Sequence, residues 1–150
     1  MPPNVYSITE DDMVSISSTD IFTNDHVHPT LGLTSEYARV VTNGFTYNGI
    51  STDVDYFYTQ YPLISVHVGD ENITELKIFE DNGPEQIAHV ELVFGLAKDE
   101  YLGQNSVVIN YDIDFQGNGT VSQIDPENVI DDDKLLVEHE NVSCTDSSHD

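Results

Sequence analysis

The sequence predicts an all-β protein, an antiparallel β-sandwich of immunoglobulin-like or jelly-roll-like type with seven or more short strands. Apolar residues recur at every second position in several segments, and clusters of Gly, Asn, Asp and Pro separate those segments. Helical periodicity is weak along the whole chain. The 150 residues fit a single domain, residues 1–150, in which the first thirty or so are irregular.

The first half of the chain carries the weaker strand patterns. We predict strands within residues 13–21, 37–41 and 45–50, where β-branched and aromatic residues concentrate. Residues 63–68 end at a glycine and predict a further strand. An aromatic cluster suits either a strand or a core loop, and its members are Tyr56, Phe57, Tyr58 and Tyr61.

A β-hairpin is predicted from residues 74–80 and 86–96. The turn sequence Asp-Asn-Gly-Pro-Glu at 81–85 separates these two β-rich runs. The second run alternates, and the apolar residues of one face are Ala88, Val90, Leu92 and Phe94.

Residues 105–115 show the clearest alternation, which predicts a strand with one buried and one solvated face. The face expected to be buried carries Val107, Ile109, Tyr111, Ile113 and Phe115. The opposite face carries Val108, Asn110, Asp112 and Asp114. A turn at 117–119 leads into a strand at 120–124, residues 125–133 form an acidic loop, and residues 134–142 predict a last strand.

The charge of the chain limits its partners. Twenty-eight Asp and Glu against four Lys and Arg give a formal net charge of −24. No basic cluster exists to neutralise phosphates, which argues against nucleic acid and against anionic membranes as partners. Self-repulsion of this size destabilises a compact chain unless salt or bound cations screen it. A saline medium or a cation-rich, halophilic cell surface therefore suits this protein.

Several features bear on the compartment. Sequons for N-glycosylation occur at Asn72, Asn118 and Asn141, as in a secreted glycoprotein. The single cysteine, Cys144, either pairs with a cysteine outside these residues or is a free or buried thiol. No apolar run approaches the roughly 20 residues of a membrane span. The start of the chain lacks the basic and apolar regions of a signal peptide, so the chain is either cytosolic or lacks its native signal.

A calcium site is one candidate for chemistry. Asp112, Asp114 and Gln116 precede Gly117 in a pattern close to the start of an oxygen-rich calcium loop. The third ligand is Gln, and Gln123 stands where a bidentate Glu belongs. The alternative is a strand whose solvated face carries two aspartates. Looser cation sites are residues 131–133, all Asp, and the pair Asp53 and Asp55.

A copper or zinc site is the second candidate. His26 and His28 lie two residues apart, so an extended backbone would put both imidazoles on one face, with Asp25 nearby. Two ligands are too few for such a site. The third would come from His67, His89 or His139. The alternative is a polar loop with two exposed histidines.

Motifs for catalysis are absent from the sequence. It contains no Gly-x-Ser-x-Gly, no His-Glu-x-x-His and no phosphate-binding glycine loop. Paired carboxylates occur everywhere at this composition, so they do not indicate glycosidase chemistry. The sequence therefore predicts a protein that is not an enzyme.

About half of the chain, residues 65–144, resembles secreted cell-surface proteins of ammonia-oxidising thaumarchaea. The segments that carry the resemblance are SVHVGDE (65–71), LKIFEDNGP (76–84), IAHVELVFGL (87–96), DIDF (112–115) and DPENV (125–129). Similar proteins are longer and continue beyond residues 142–144. The resemblance implies an archaeal cell surface and a module of a longer protein, and it supplies no catalytic residues.

Together these features predict an extracellular structural or adhesive module of a surface or filament, which assembles or binds through strand edges and acidic loops. Its partners would be further copies of the chain or other surface proteins. A metal-binding module, with calcium or with copper or zinc, is the alternative function, and a secreted hydrolase is the third.

Overall fold

The prediction of an all-β protein is confirmed. The computed structural model describes residues 5–8, 13–18, 28–55, 59, 64–94 and 107–142. Within them lie nine strands, two 3₁₀ turns (Pro84–Gln86 and Asp132–Lys134) and no α-helix. The strands are β1 (Val5–Ile8), β2 (Met13–Ser18), β3 (Phe45–Tyr47), β4 (Ile50–Thr52), β5 (Ile64–His67), β6 (Thr74–Leu76), β7 (Ile87–Phe94), β8 (Val107–Ile113) and β9 (Gly119–Ile124). β1 falls in the part of the chain that was expected to be irregular, whereas β2 confirms the strand predicted within residues 13–21.

The strands form three antiparallel sheets. The largest has the order β2-β7-β8-β9, the second has the order β4-β3-β6, and β1 pairs with β5. In the four-stranded sheet His89 lies opposite Asp112, and Asp112 lies opposite Thr120. Directly opposite residues of an antiparallel pair point to the same face. This register therefore gives the four-stranded sheet one partly polar face and one mainly apolar face.

The main core lies where the three sheets meet. Its buried residues come from β3 and β5 and are Phe45, Tyr47, Ile64 and Val66. Leu92 and Phe94, from the apolar face of β7, pack against this cluster. On the other face of the same sheet, Val93 and Val108 form a second buried cluster. The alternation of β7 and β8 thus buries apolar side chains on both of their faces.

One predicted pairing is wrong, and one predicted strand is shorter than expected. The runs 74–80 and 86–96 do not form a hairpin, because β6 pairs with β3 whereas β7 pairs with β2 and β8. Between them Gly83, at φ 108°, and the 3₁₀ turn carry the chain out of one sheet and into another. Residues 45–50 are not one strand but the hairpin of β3 and β4, which turns at Asn48 and Gly49 with φ of 47° and 82°. Positive φ at both central residues is the geometry of a tight hairpin turn.

Three further strand predictions need correction. Residues 37–41 contain only an isolated bridge between Leu33 and Arg39. Residues 135–142 follow a 3₁₀ turn and join no sheet. Phe115 is 94% exposed rather than buried, since β8 ends at Ile113 and the next residues already turn. The aromatic residues at 56–58 and 61 lie outside the described residues.

Candidate functional site

The loop at residues 114–118, which joins β8 to β9, holds two of the predicted calcium ligands, Asp114 and Gln116. The Oδ1 atom of Asp114 accepts hydrogen bonds from the backbone N–H groups of Gln116 and Asn118, both at 2.9 Å. Its Oδ2 atom accepts a bond from the Asn118 amide at 3.2 Å. Gly117, at φ 87°, provides the left-handed residue that closes the loop. Asp114 therefore stabilises the loop of this hairpin through its hydrogen bonds.

These contacts also change the pKa of Asp114. The backbone N–H of Asn118 stabilises the ionised carboxylate and lowers the pKa of Asp114 below its ordinary value. The side-chain amide of Asn118 and the N–H groups of Gln116 and Gly117 lower the pKa further. Some loss of hydration raises the pKa of Asp114 and does not reverse the outcome.

Asp112, the third predicted calcium ligand, lies on β8 and contacts a histidine of the neighbouring strand. Its Oδ1 atom lies 2.7 Å from Nδ1 of His89, directly opposite on β7. The Nε2 atom of His89 lies 3.7 Å from Oε2 of Glu91. Sequence reasoning offered His89 only as a possible metal ligand and missed this cross-strand pair, because the pair depends on the register between β7 and β8.

The structure therefore brings together only two of the three predicted calcium ligands. Asp114 and Gln116 share the loop, whereas Asp112 is directed towards His89. Among the described residues no group of three or more His, Cys, Asp or Glu side chains is arranged to hold a metal ion. Calcium at Asp112, Asp114 and Gln116 stays a prediction.

The histidines proposed for copper or zinc are dispersed among different partners. His28 is exposed, while His26 and Cys144 lie outside the described residues. The Nδ1 atom of His67 lies 3.8 Å from Oδ2 of Asp70. His139 Nδ1 lies 2.7 Å from the hydroxyl of Tyr111. Copper or zinc at His26 and His28 stays a prediction.

The looser acidic sites serve the local structure. Asp53 accepts the N–H of Asn43 at 2.7 Å, and Asp55 pairs with Arg39 at 3.1 Å. Asp131 accepts the N–H of Asp133 and pairs with Lys134 at 3.3 Å. Hydrogen bonds and ion pairs of this kind stabilise turns without a metal.

The three predicted glycosylation residues are all exposed. The amide of Asn72 donates to the backbone oxygen of Asp70 and its Oδ1 accepts from Asn48. Asn118 directly precedes β9 and uses its amide to close the loop at 114–118. Asn141 lies in the unpaired C-terminal stretch.

Cavities on the described surface are small or open. One of about 30 Å³ lies beside the loop at 114–118 and is lined by Pro84, Ile113, Phe115 and His139, among others. A depression of about 470 Å³ lies open to solvent over residues 128–133. Small-molecule sites are typically concave and about 300–1,000 Å³ in volume. The first cavity has room for little more than a water molecule.

The outer edge of β9 is a feature that sequence reasoning did not single out. Within the described residues β9 pairs only with β8, so its other edge has no neighbouring strand. Its residues Gly-Thr-Val-Ser-Gln-Ile include no charge and no proline. Val121 and Ile124 are 38% and 54% exposed. We call this surface the β9 edge.

Comparison of the chain with protein-family models, with curated proteins and with solved structures finds no match. In the part of the chain that the structure describes, no helix has the length and apolar character to cross a membrane.

Proposed function

We propose that the chain is a non-catalytic structural or adhesive module of an extracellular surface or filament. It folds as an antiparallel β-sandwich and assembles or binds through its strand edges and acidic loops. The observation that carries this proposal is the β9 edge, a six-residue strand that is exposed, uncharged and without a second neighbour among the described residues. Such an edge is a template for a strand of another chain.

The packing of β7 supports the sandwich. Leu92 and Phe94 pack against the buried cluster that the strands β3 and β5 of the two smaller sheets form. Two β-layers that share one apolar interior define a sandwich. The four-stranded sheet would form one layer, and the sheets of β3 and β5 would form the other.

The edges formed by β2, β4 and β6 are better protected than the β9 edge. β4 and β6 have only three residues each, and β6 carries the exposed Glu75. β2, the opposite edge of the largest sheet, has a register shift between Ser17 and Ser18. Short length, charge and bulges all discourage pairing with foreign strands. The pairing of β9 with β8 runs without a register shift from Val108 to Ile113.

The acidic surface supports a saline, extracellular setting. Exposed acids surround β9 in sequence, with Asp112 and Asp114 before it and residues 131–133 after it. Their mutual repulsion weakens as ionic strength rises, which favours contact between acidic molecules in salt water. The resemblance to archaeal surface proteins points to the same compartment.

Light scattering coupled to size exclusion tests assembly through the β9 edge. We expect the molecular mass to rise with protein concentration and with sodium chloride. Val121→Glu should abolish the rise, because it places a charge on the β9 edge. Val68→Glu introduces the same charge at another exposed valine, 66% exposed after β5, and should behave as the unmodified chain. A monomer under every salt and calcium condition contradicts the proposal.

A secreted hydrolase is a further candidate function, and the sheet register gives it one observation. Ser17 of β2 lies opposite His89, and Asp112 lies opposite His89 on the other side. Serine, histidine and aspartate are the residue types of nucleophilic catalysis, which also needs donors for an oxyanion. A fluorophosphonate probe decides between the two functions. We expect no labelling, whereas labelling that His89→Gln removes would establish the hydrolase.

A further inference from the structure

We infer that two copies of this chain pair through their β9 strands, antiparallel and about a twofold axis at Val121. The two four-stranded sheets then become one sheet of eight strands. This inference rests on the proposed function and specifies its partner, its symmetry and its register. It starts from the free edge of β9 and from the alternation of the side chains along that strand.

Continuity of the two sheet faces restricts the register. Val121 shares a face with Tyr111, which lies opposite it on β8, whereas Ser122 shares the other face with Asn110. A twofold axis perpendicular to the sheet keeps each face on its own side. Opposed residues must then come from the same face, so the axis passes through a residue of β9 and not between two residues.

The side chains favour an axis at Val121. In that register Val121 opposes itself, Thr120 opposes Ser122, and Gly119 opposes Gln123. Pairs of β-branched residues and pairs of hydroxyl residues both stabilise antiparallel strands. The chain already uses the second kind, since Thr46 and Ser51 lie opposite each other and their hydroxyl oxygens are 2.8 Å apart.

In the same register Gln123 would lie opposite Gly119 of the second copy. The Gln123 amide donates to Asp132, so the side chain is held by the loop that follows β9. The side-chain position at Gly119 is covered by the hydroxyl of Tyr111, so Gln123 would face a polar group there. An axis at Ser122 would instead oppose Gln123 to Val121 and the hydroxyl of Thr120 to the apolar Ile124. An axis at Ser122 would therefore place polar side chains opposite apolar ones, which stabilises the pairing less.

The charge of the strand favours a second copy over a basic partner. β9 contributes no acidic side chain with which the Lys or Arg residues of another strand could pair. Repulsion between the copies comes from the acids around the strand, such as Asp125, which would lie opposite the loop that Asp114 closes. Because this repulsion is screened by salt, the pairing should strengthen as ionic strength rises.

The contact is small, so it is weak in isolation. One strand pair buries less than the roughly 1,200 Å² at the lower end of stable interfaces. We expect dimers mainly at high protein concentration, or where the chains are already held close together on a surface, since tethering raises the effective concentration.

Disulfide trapping of single-cysteine variants tests the register. Cys144, the only native cysteine, is first replaced by Ser. Val121→Cys then places two thiols directly opposite each other. Ser122→Cys, the matched control, places them about 8 Å apart, beyond the span of a disulfide. Under mild oxidation in high salt, we expect about tenfold more linked dimer from Val121→Cys than from Ser122→Cys. Thermal melting of each variant before oxidation verifies that it is folded.

The outcomes separate the inference from the proposed function. A dimer in light scattering together with trapping at residue 121 supports both. Association that Val121→Glu abolishes, but with preferential trapping at residue 122 or with open polymers instead of dimers, overturns the inference and leaves the proposed function standing. Absence of association overturns both. Amide hydrogen exchange on the unmodified chain gives a check without mutation, because β9 should gain protection as the protein concentration rises.

Discussion

Asn118 donates twice to the carboxylate of Asp114, through its backbone N–H at 2.9 Å and through its side-chain amide at 3.2 Å. These bonds join the last residue before β9 to the first residue after β8. They set the start of β9, and they occupy the carboxylate that the sequence offered to calcium. The hairpin that presents the β9 edge thus depends on an ionised Asp114.

Substitution of Asp114 should therefore change how the stability of the protein depends on pH. Its pKa is lower in the folded chain than the ordinary value of 3.8, so the ionised group contributes stability above that pH and loses the contribution as pH falls through the folded pKa. We expect Asp114→Asn to destabilise the protein at pH 7, with the difference from the unmodified chain shrinking below about pH 4. Urea unfolding from pH 2.5 to 7 measures this difference.

The control for this experiment removes one negative charge elsewhere. Glu71→Gln alters an exposed acid in the turn before β6 and should not destabilise the chain at pH 7. Equal effects of the two substitutions across the pH range would show that net charge, and not the loop, governs the response.

Calcium should compete with contacts that Asp112 and Asp114 already make. To bind both residues, the ion would share Asp112 with His89 and Asp114 with its N–H donors. We expect millimolar calcium to shift the melting temperature of the unmodified chain and of Asp112→Asn equally, by screening alone. A larger shift in the unmodified chain, absent in both Asp112→Asn and Asp114→Asn, would establish the calcium site.

Gly117 tests how much the loop geometry matters. A methyl group at this residue would meet no atom within 4 Å, so Gly117→Ala introduces no clash. Its φ of 87° is nevertheless unfavourable for an L-residue, and we expect a loss of about 1–2 kcal/mol in the free energy of unfolding. Gly117→Asn should lose less, because Asn tolerates left-handed backbone better than Ala. Urea unfolding of both variants measures the order, and equal losses would contradict this explanation.

The strands that could be predicted from sequence are those in which apolar and polar residues alternate along the strand itself. β7, β8 and β9 follow from alternation and from the turns that flank them. The β3–β4 hairpin was missed although Asn48-Gly49 is a strong hairpin signal, because the surrounding strands have only three residues each. The end of β8 was misplaced because Asp114 and Phe115 continue the alternation while the backbone already turns.

Pairing between strands could not be predicted in the same way. The turn at 81–85 shows where the chain bends, but the partner of β6 depends on the burial of Phe45 and Tyr47 in β3, far away in sequence. The contact between His89 and Asp112 likewise requires the register of β7 with β8. Whether β9 is an edge depends on the strand order of the whole sheet. Each of these is a long-range property.

The second core cluster gives a prediction about stability. Val93 is fully buried and packs with Val108 on the face of the large sheet opposite the main core. Val93→Ala should lower the free energy of unfolding by about 2 kcal/mol, from lost burial and from the cavity left behind. Val68→Ala, at an exposed valine, should change it by less than about 0.5 kcal/mol. Comparable losses in urea unfolding would show that the second cluster contributes little.

Salt should stabilise the monomer as well as promote its assembly. With a net charge of −24, repulsion among the acids opposes the compact state, and its range falls from about 10 Å at 0.1 M salt to about 3 Å at 1 M. We expect the midpoint of urea unfolding, measured at a dilute concentration where the chain is monomeric, to rise steadily over that range of sodium chloride. Replacing three exposed acids by amides, with Glu71→Gln, Glu75→Gln and Glu127→Gln together, changes the formal net charge from −24 to −21. That variant should start from a higher midpoint and respond less to salt, because less repulsion remains to be screened. A midpoint that is independent of salt, or an equal response from the variant, would show that the distributed acid does not limit the stability of this fold.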